Sequence, residues 1–152
     1  MKSSEMTPEQ SKAWRAFLWA PTVIMRNLER EMRAAAGLPL SWFDVLIHLH
    51  EAPQRRLRLQ ALAESVVLSR SGLTRLIDRM EKAGVVRREQ AADDRRGSYA
   101  VLTSEGRRRF EQVEPGHVRR VNDHFTRHLT AAETRALTAT LSKLIAANEE
   151  PD

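Results

Sequence analysis

Leu62-Ala63-Glu64 and, three residues on, Leu68-Ser69-Arg70-Ser71-Gly72-Leu73-Thr74-Arg75-Leu76-Ile77-Asp78-Arg79-Met80-Glu81-Lys82-Ala83-Gly84-Val85-Val86-Arg87-Arg88 form the stretch whose reading decides the fold. Leu59, Leu62, Ala63 and Val66 recur at helical spacing and predict a short helix over roughly 59–66. Leu68-Ser69 leaves room for only a tight turn, and Ser69 is suited to cap the next helix. That helix, to about Ala83, places Leu73, Leu76, Ile77 and Met80 on one face. Gly84 supplies its C-terminal stop. Two short helices joined by a tight turn, the second opening on small polar and basic residues, predict a helix-turn-helix.

Working outward, the period changes after Gly84. Val85–Gln90 and Ser98–Leu102 read as strands, and the polar 91–97 segment between them contains Asp93-Asp94-Arg95-Arg96. This predicts a β-hairpin wing with a basic tip. Upstream, Ser41-Trp42-Phe43-Asp44 reads as a cap for a helix that ends near Glu51, before Pro53. Thr7-Pro8-Glu9-Gln10 opens a longer helix that Gly37 closes, and Pro21 within it is expected to kink or split it. Downstream, Thr103 caps a helix that Pro115-Gly116 is expected to bend or break. Thr130-Ala131-Ala132-Glu133 is a capping box for a last helix that frays near Asn148. The expected fold is therefore mainly α with a small β-hairpin wing. A winged helix-turn-helix spans 41–103, and helical segments at 7–37 and 104–148 form a dimerisation region.

Charge follows the same division. Of 152 residues, 25 are basic and 20 acidic, for a formal charge of +5. Between Pro53 and Arg109 stand 14 basic and 7 acidic side chains, so this segment carries +7 and the rest −2. A basic centre between near-neutral arms suits a polyanion-binding module on a scaffold, although a solvated basic face is the plainer reading. The chain has no cysteine, which excludes disulfides, thiolate metal sites and thiol redox sensing. Charges interrupt every apolar run, and no apolar signal region follows Met1-Lys2-Ser3, so a cytoplasmic protein away from the membrane is expected.

A helix fits the major groove of duplex DNA, and side chains near its start reach base edges. Ser69, Arg70, Ser71, Thr74, Arg75 and Arg79 are the candidate contacts on the second helix, with Asp94, Arg95 and Arg96 on the wing. Asp94 stands close enough to orient Arg96, and the two arginines suit phosphates or a narrow minor groove.

The quoted stretch, continued by Asp93-Asp94-Arg95-Arg96 and Val101-Leu102-Thr103-Ser104-Glu105-Gly106, resembles the MarR (multiple antibiotic resistance regulator) family of transcription regulators. The resemblance is strongest over some 45 residues, and the flanking helices extend it to nearly the whole chain. It implies a homodimeric DNA-binding regulator, more often a repressor, whose terminal helices interlock with those of a second copy. A two-fold dimer predicts a pseudo-palindromic operator. The resemblance also implies release from DNA by a small, often aromatic, acid where the dimerisation helices meet the DNA-binding lobe. Trp14, Trp19, Trp42, Asp44 and Arg75 are the candidate effector residues, in a pattern similar to urate-responsive relatives. The plainer reading makes the tryptophans core and Asp44 a helix cap.

No cofactor or metal is expected. His124 and His128 are one helical turn apart beside Asp123, but lack a strong third ligand nearby, and solvated histidines are the simpler reading. There is no phosphate loop, nucleophile elbow or pair of carboxylates in an apolar setting, so the chain does not read as an enzyme. The alternative function is a non-specific architectural or protein-interaction winged helix.

Overall fold

The computed structural model describes residues 6–66, 70–91 and 97–149, with only the backbone of Arg70 described. At the start of the first helix, α1 (Pro8–Ala36), the Thr7 N–H donates to Gln10 Oε1 at 2.8 Å, and the Gln10 N–H donates to Thr7 Oγ1 at 3.2 Å. The expected split at Pro21 does not occur, and α1 is one continuous helix. Proline there removes only one intrahelical donor, and residues 17–22 are all exposed. The Thr22 hydroxyl also donates to the Leu18 carbonyl at 2.9 Å, holding the same turn. Gly37, at φ +63°, ends α1 with its N–H on the Arg33 carbonyl.

Helix α2 (Leu40–Glu51) starts one residue before the expected cap. Ser41 and Asp44 lie inside it and do not cap it. The flanking residue is Pro39, with no side-chain cap, and Glu29 of α1 accepts the Leu40 N–H at 2.7 Å instead. A 3-10 turn, Pro53–Arg55, follows, in which both Gln54 and Arg55 hold φ +54°. Residues with side chains seldom adopt this region. The Arg55 guanidinium donates from Nη1 to His50 Nδ1 at 2.8 Å, tying the turn to the end of α2.

The wing has a strand more than the hairpin expected from sequence. Strand β1 (Arg56–Arg58) precedes α3 (Leu59–Ser65) and α4 (Arg70–Lys82), which are followed by β2 (Val86–Gln90) and β3 (Ser98–Leu102). The sheet is antiparallel in the order β1-β3-β2, pairing Arg58 with Tyr99 and Glu89 with Tyr99 across the central strand. Helix α5 (Ser104–His124) passes Pro115 and Gly116 without the break that was one of the two expected outcomes, and Glu114 and Pro115 lie on an exposed side. After a 3-10 turn, Thr126–His128, the predicted capping box forms. The Glu133 N–H donates to Thr130 Oγ1, and the Thr130 N–H donates to Glu133 Oε2, at the start of α6 (Ala131–Ala146).

The chain divides into two units, Glu29–His117 and the residues up to Leu28 together with those from Val118. The first holds a continuous core that includes Met32, Phe43, Leu46, Leu49, Leu62, Leu76, Ile77, Met80, Val85 and Phe110. Each such fully buried side chain stabilises by about 1.5–3 kcal/mol. Phe43 stacks on Phe110 with ring centroids 5.4 Å apart. The second unit carries large apolar side chains on its surface, among them Trp14, Phe17, Leu18, Trp19, Met25, Val118 and Ile145. Among the described residues, no helix is long and apolar enough to cross a membrane.

Candidate nucleic-acid interface

Helix α4 is laid down by its apolar side. Leu73, Leu76, Ile77 and Met80 are buried beneath it, which turns Ser71, Thr74, Arg75, Arg79 and Lys82 outward along one exposed row. Four of these were legible in the sequence. Lys82 was missed, although its spacing from Arg79 and Arg75 continues the row. The acids of the helix are drawn aside. Arg88, reaching back from β2, places Nη2 2.6 Å from Asp78 and Nη1 2.9 Å from Glu81. The Arg88 N–H donates to Glu81 as well, at 2.9 Å, and Nη2 donates to the Thr74 carbonyl at 3.3 Å. One guanidinium thus bridges both carboxylates, offsetting one of their two charges, and fixes β2 to α4. Arg75 and Arg79 have no ion-pair partner among the described residues, and the outward row is basic without a carboxylate in it. Nothing in the sequence alone directed Arg88 onto α4, because its direction depends on which face of the sheet it occupies.

The base of the wing is closed by the Ala91 N–H donating to the Gly97 carbonyl at 2.9 Å. Asp94, Arg95 and Arg96 lie outside the described residues, as does Ser69, and for Arg70 only the helical backbone is described. Beneath the wing, Thr103 joins three elements. Its hydroxyl donates to the Gly84 carbonyl at 2.6 Å and accepts the Gly106 N–H at 3.0 Å. A side chain on Gly106 would bring its Cβ to 2.0 Å from the Val85 carbonyl oxygen, so this close approach of α5 to the strand requires glycine. The arginine run at the start of α5 is already occupied. Arg108 and Arg109 hydrogen-bond to Glu105 and hold its carboxyl down at about 2, and Arg107 bonds Glu111 at 2.6 Å.

The five effector candidates are not brought together within one unit. Trp14 and Trp19 belong to the unit that ends at Leu28, where Trp14 stacks on Phe17 and Arg26 lies over Trp19. Both rings are exposed, contrary to the core reading. Trp42, Asp44 and Arg75 belong to the other unit. Trp42 packs against the core, and Arg75 lies on the outward row of α4. Asp44 is half-exposed with His48 Nε2 at 3.8 Å; desolvation raises its pKa, offset in part by His48 and His117. His124 and His128 do not share a helix turn. His124 ends α5, and His128 lies in the 3-10 turn, where its Nε2 contacts the Asp123 carbonyl at 2.9 Å.

A helix-turn-helix whose second helix exposes a basic row, backed by a three-stranded sheet with a hairpin wing, defines the winged helix-turn-helix class. The model of the MarR family matches residues 36–97. The MarR family regulator AbsC from Streptomyces coelicolor shares 32% identity, with 95% of this chain and 97% of that one aligned at a TM-score of 0.89. Sco3205, a MarR family regulator from the same organism solved in complex with DNA, shares 33% identity over 99% and 94% of the two chains, with a TM-score of 0.91. The transcriptional repressor YetL of Bacillus subtilis is 31% identical over 64% of this chain, and the match spans 59% of its own length. The chain belongs to the MarR family of transcriptional regulators.

Proposed function

We propose that the protein is a sequence-specific double-stranded DNA-binding regulator, a homodimeric cytoplasmic repressor acting at a pseudo-palindromic operator, and not an enzyme. The observation that carries this reading is the outward row of α4, where Ser71, Thr74, Arg75, Arg79 and Lys82 stand exposed while Arg88 takes up Asp78 and Glu81. Short hydroxyls and long bidentate donors at the start of such a helix suit base edges and phosphates. The DNA complex of Sco3205, a relative similar along nearly its whole length, supports the same reading. Ser69, Arg70, Asp94, Arg95 and Arg96 complete the proposed contact set. The exposed apolar side chains of the unit formed by the two chain ends support a second copy as partner. Release by a small aromatic acid, with Trp14, Trp19, Trp42, Asp44 and Arg75 as its contacts, rests on the family resemblance and on the exposed rings of Trp14 and Trp19.

Footprinting upstream of the protein's own gene at two salt concentrations tests the proposal. A protected pseudo-palindrome of about two helical turns is the expected result. Uniform, salt-labile binding without a footprint would identify a non-specific architectural protein instead. On a defined operator, Arg75→Ala is expected to weaken binding by about 1–3 kcal/mol and to relax preference at one position of each half-site. A footprint and base preference identical to wild type would remove Arg75 from the contact set. Addition of benzoate- or salicylate-type acids to the complex tests release, and a series that leaves the footprint intact overturns that part.

A further inference from the structure

Four elements meet at one corner of the Glu29–His117 unit: the end of α4, the start of β2, the end of β3 and the start of α5. Helix α4 closes in a paired hydrogen bond built on a left-handed glycine. The Gly84 N–H donates to the Glu81 carbonyl at 2.9 Å, and the Val85 N–H reaches back to the Met80 carbonyl at 3.1 Å, with Gly84 at φ +74°. The Gly84 carbonyl itself accepts the Thr103 hydroxyl at 2.6 Å, and the Val85 carbonyl accepts the Thr103 N–H at 3.2 Å. The same Thr103 oxygen accepts the Gly106 N–H at 3.0 Å and so caps α5. One hydroxyl therefore donates to the end of one helix and accepts from the start of another.

The corner is closed sterically as well. A Cβ on Gly106 would meet the Val85 carbonyl oxygen at 2.0 Å and Leu102 Cδ1 at 2.9 Å, and Val85 is fully buried. Backbone stands against backbone there, so the first turn of α5 has little slack against the end of α4. Small angles matter at this point because α4 is a lever. Arg75 lies nine residues before Gly84, about 14 Å along the axis at about 1.5 Å per residue. A tilt of about 10° at the corner would carry it sideways by about 2 Å. That exceeds the few tenths of an ångström over which a hydrogen bond to a base edge keeps its strength. It is small beside the range of the attraction between an arginine and a phosphate.

We propose that Thr103 is a positioning residue for sequence reading: by tying the Gly84 carbonyl to the first turn of α5, its hydroxyl sets the direction of α4 and with it the place at which Arg75 meets a base edge. The proposal rests on the DNA-binding reading above. Capping α5 needs only an acceptor at position 103, which serine, threonine, asparagine and aspartate all supply. The bond to Gly84 needs a donor as well, and a hydroxyl provides both from one atom. Losing the donor costs base discrimination and leaves the cap and the phosphate contacts in place.

In the test, full-length wild type, Thr103→Ser, Thr103→Asp and Thr103→Val proteins are titrated on the footprinted operator and on an unrelated duplex of the same length, with urea unfolding of each alongside. Thr103→Ser keeps donor and acceptor and is expected to preserve the ratio of the two affinities. Thr103→Asp supplies the cap but, ionised at neutral pH, no donor. Its urea midpoint should stay near that of wild type, while the ratio falls by about five- to twentyfold, within the discrimination that one bidentate base contact gives. The added charge weakens binding to both duplexes alike and cancels in the ratio. Thr103→Val, uncharged and of the same shape, loses both bonds and should show the same fall at a lower urea midpoint. A wild-type ratio in either of these variants would overturn the proposal and leave position 103 as a cap. A fall in Thr103→Ser as large as in Thr103→Asp would overturn it too, because it would assign the effect to packing of the methyl group. Equal affinity of wild type for both duplexes would instead remove the sequence-specific DNA-binding reading itself.

Discussion

The two units of this protein answer the same question, what to do with large apolar side chains, in opposite ways. Residues Glu29–His117 gather Phe43, Leu46, Leu49, Leu62, Ile77, Met80 and Phe110 into one core. The unit formed by the chain ends leaves Trp14, Phe17, Leu18, Trp19, Val118 and Ile145 on its surface. The first contains its own hydrophobic driving force. The second exposes apolar area that water disfavours and that a partner surface would cover. The difference separates reading from assembly: a helix aimed at DNA has to be held by contacts within one chain, whereas an assembly surface is completed from outside.

The comparison predicts a graded series of effects. Phe110→Ala is expected to cost about 3–5 kcal/mol in urea unfolding, since the ring is buried against Phe43 and His50. A loss under about 1 kcal/mol would mean the core is not shared as described. Gly106→Ala adds a single methyl group and is expected to cost about 1–3 kcal/mol, because the new Cβ collides with backbone rather than with a flexible side chain. Ile145→Asp belongs to the other unit and should behave differently. Unfolding of the Glu29–His117 unit, followed by near-UV signals of its aromatic core, should move by less than about 0.5 kcal/mol. Sedimentation should meanwhile shift toward the monomer, and an unchanged sedimentation coefficient would place the partner surface elsewhere.

The smallest effect is one of pH. Burial raises the Asp44 pKa above 3.8, so the folded state binds its proton more tightly than the unfolded chain does. The folded protein is therefore favoured by this group below 3.8, and that contribution fades as pH rises through the folded value. Asp44→Asn should accordingly raise the urea midpoint slightly at pH 7 and leave no gain at pH 3. A gain at both values would point to a cause other than ionisation.

Much of the fold was legible because its signals are local. The Thr130–Glu133 box, the glycine stop at Gly84, and the apolar spacing of α4 each lie within a few residues, and each appears where sequence placed it. What escaped depends on distant or environmental facts. Strand β1 is only Arg56-Leu57-Arg58, and what makes it a strand is pairing with residues 99–101. The start of α2 is satisfied by Glu29, eleven residues away, so Ser41 carried a signal the chain does not use. The split at Pro21 and the break at Pro115 do not occur, and sequence does not show that the residues around these prolines are exposed. For the candidate interface, the outward row of α4 followed from periodicity, whereas the role of Arg88 required knowing which way its strand faces.

The reach of Arg88 across to Asp78, Glu81 and the Thr74 carbonyl has a mechanical consequence. It makes β2 and α4 a caliper of fixed opening. A hairpin hinged freely at its base could follow any duplex that the helix had entered. With the base clamped, the offset between α4 and β2 is set before any DNA arrives, and on the proposed reading a duplex would twist or narrow to match. On the proposed operator-binding reading, base pairs that neither element touches would then influence affinity through how readily they deform, and discrimination among operators would be partly a measurement of stiffness.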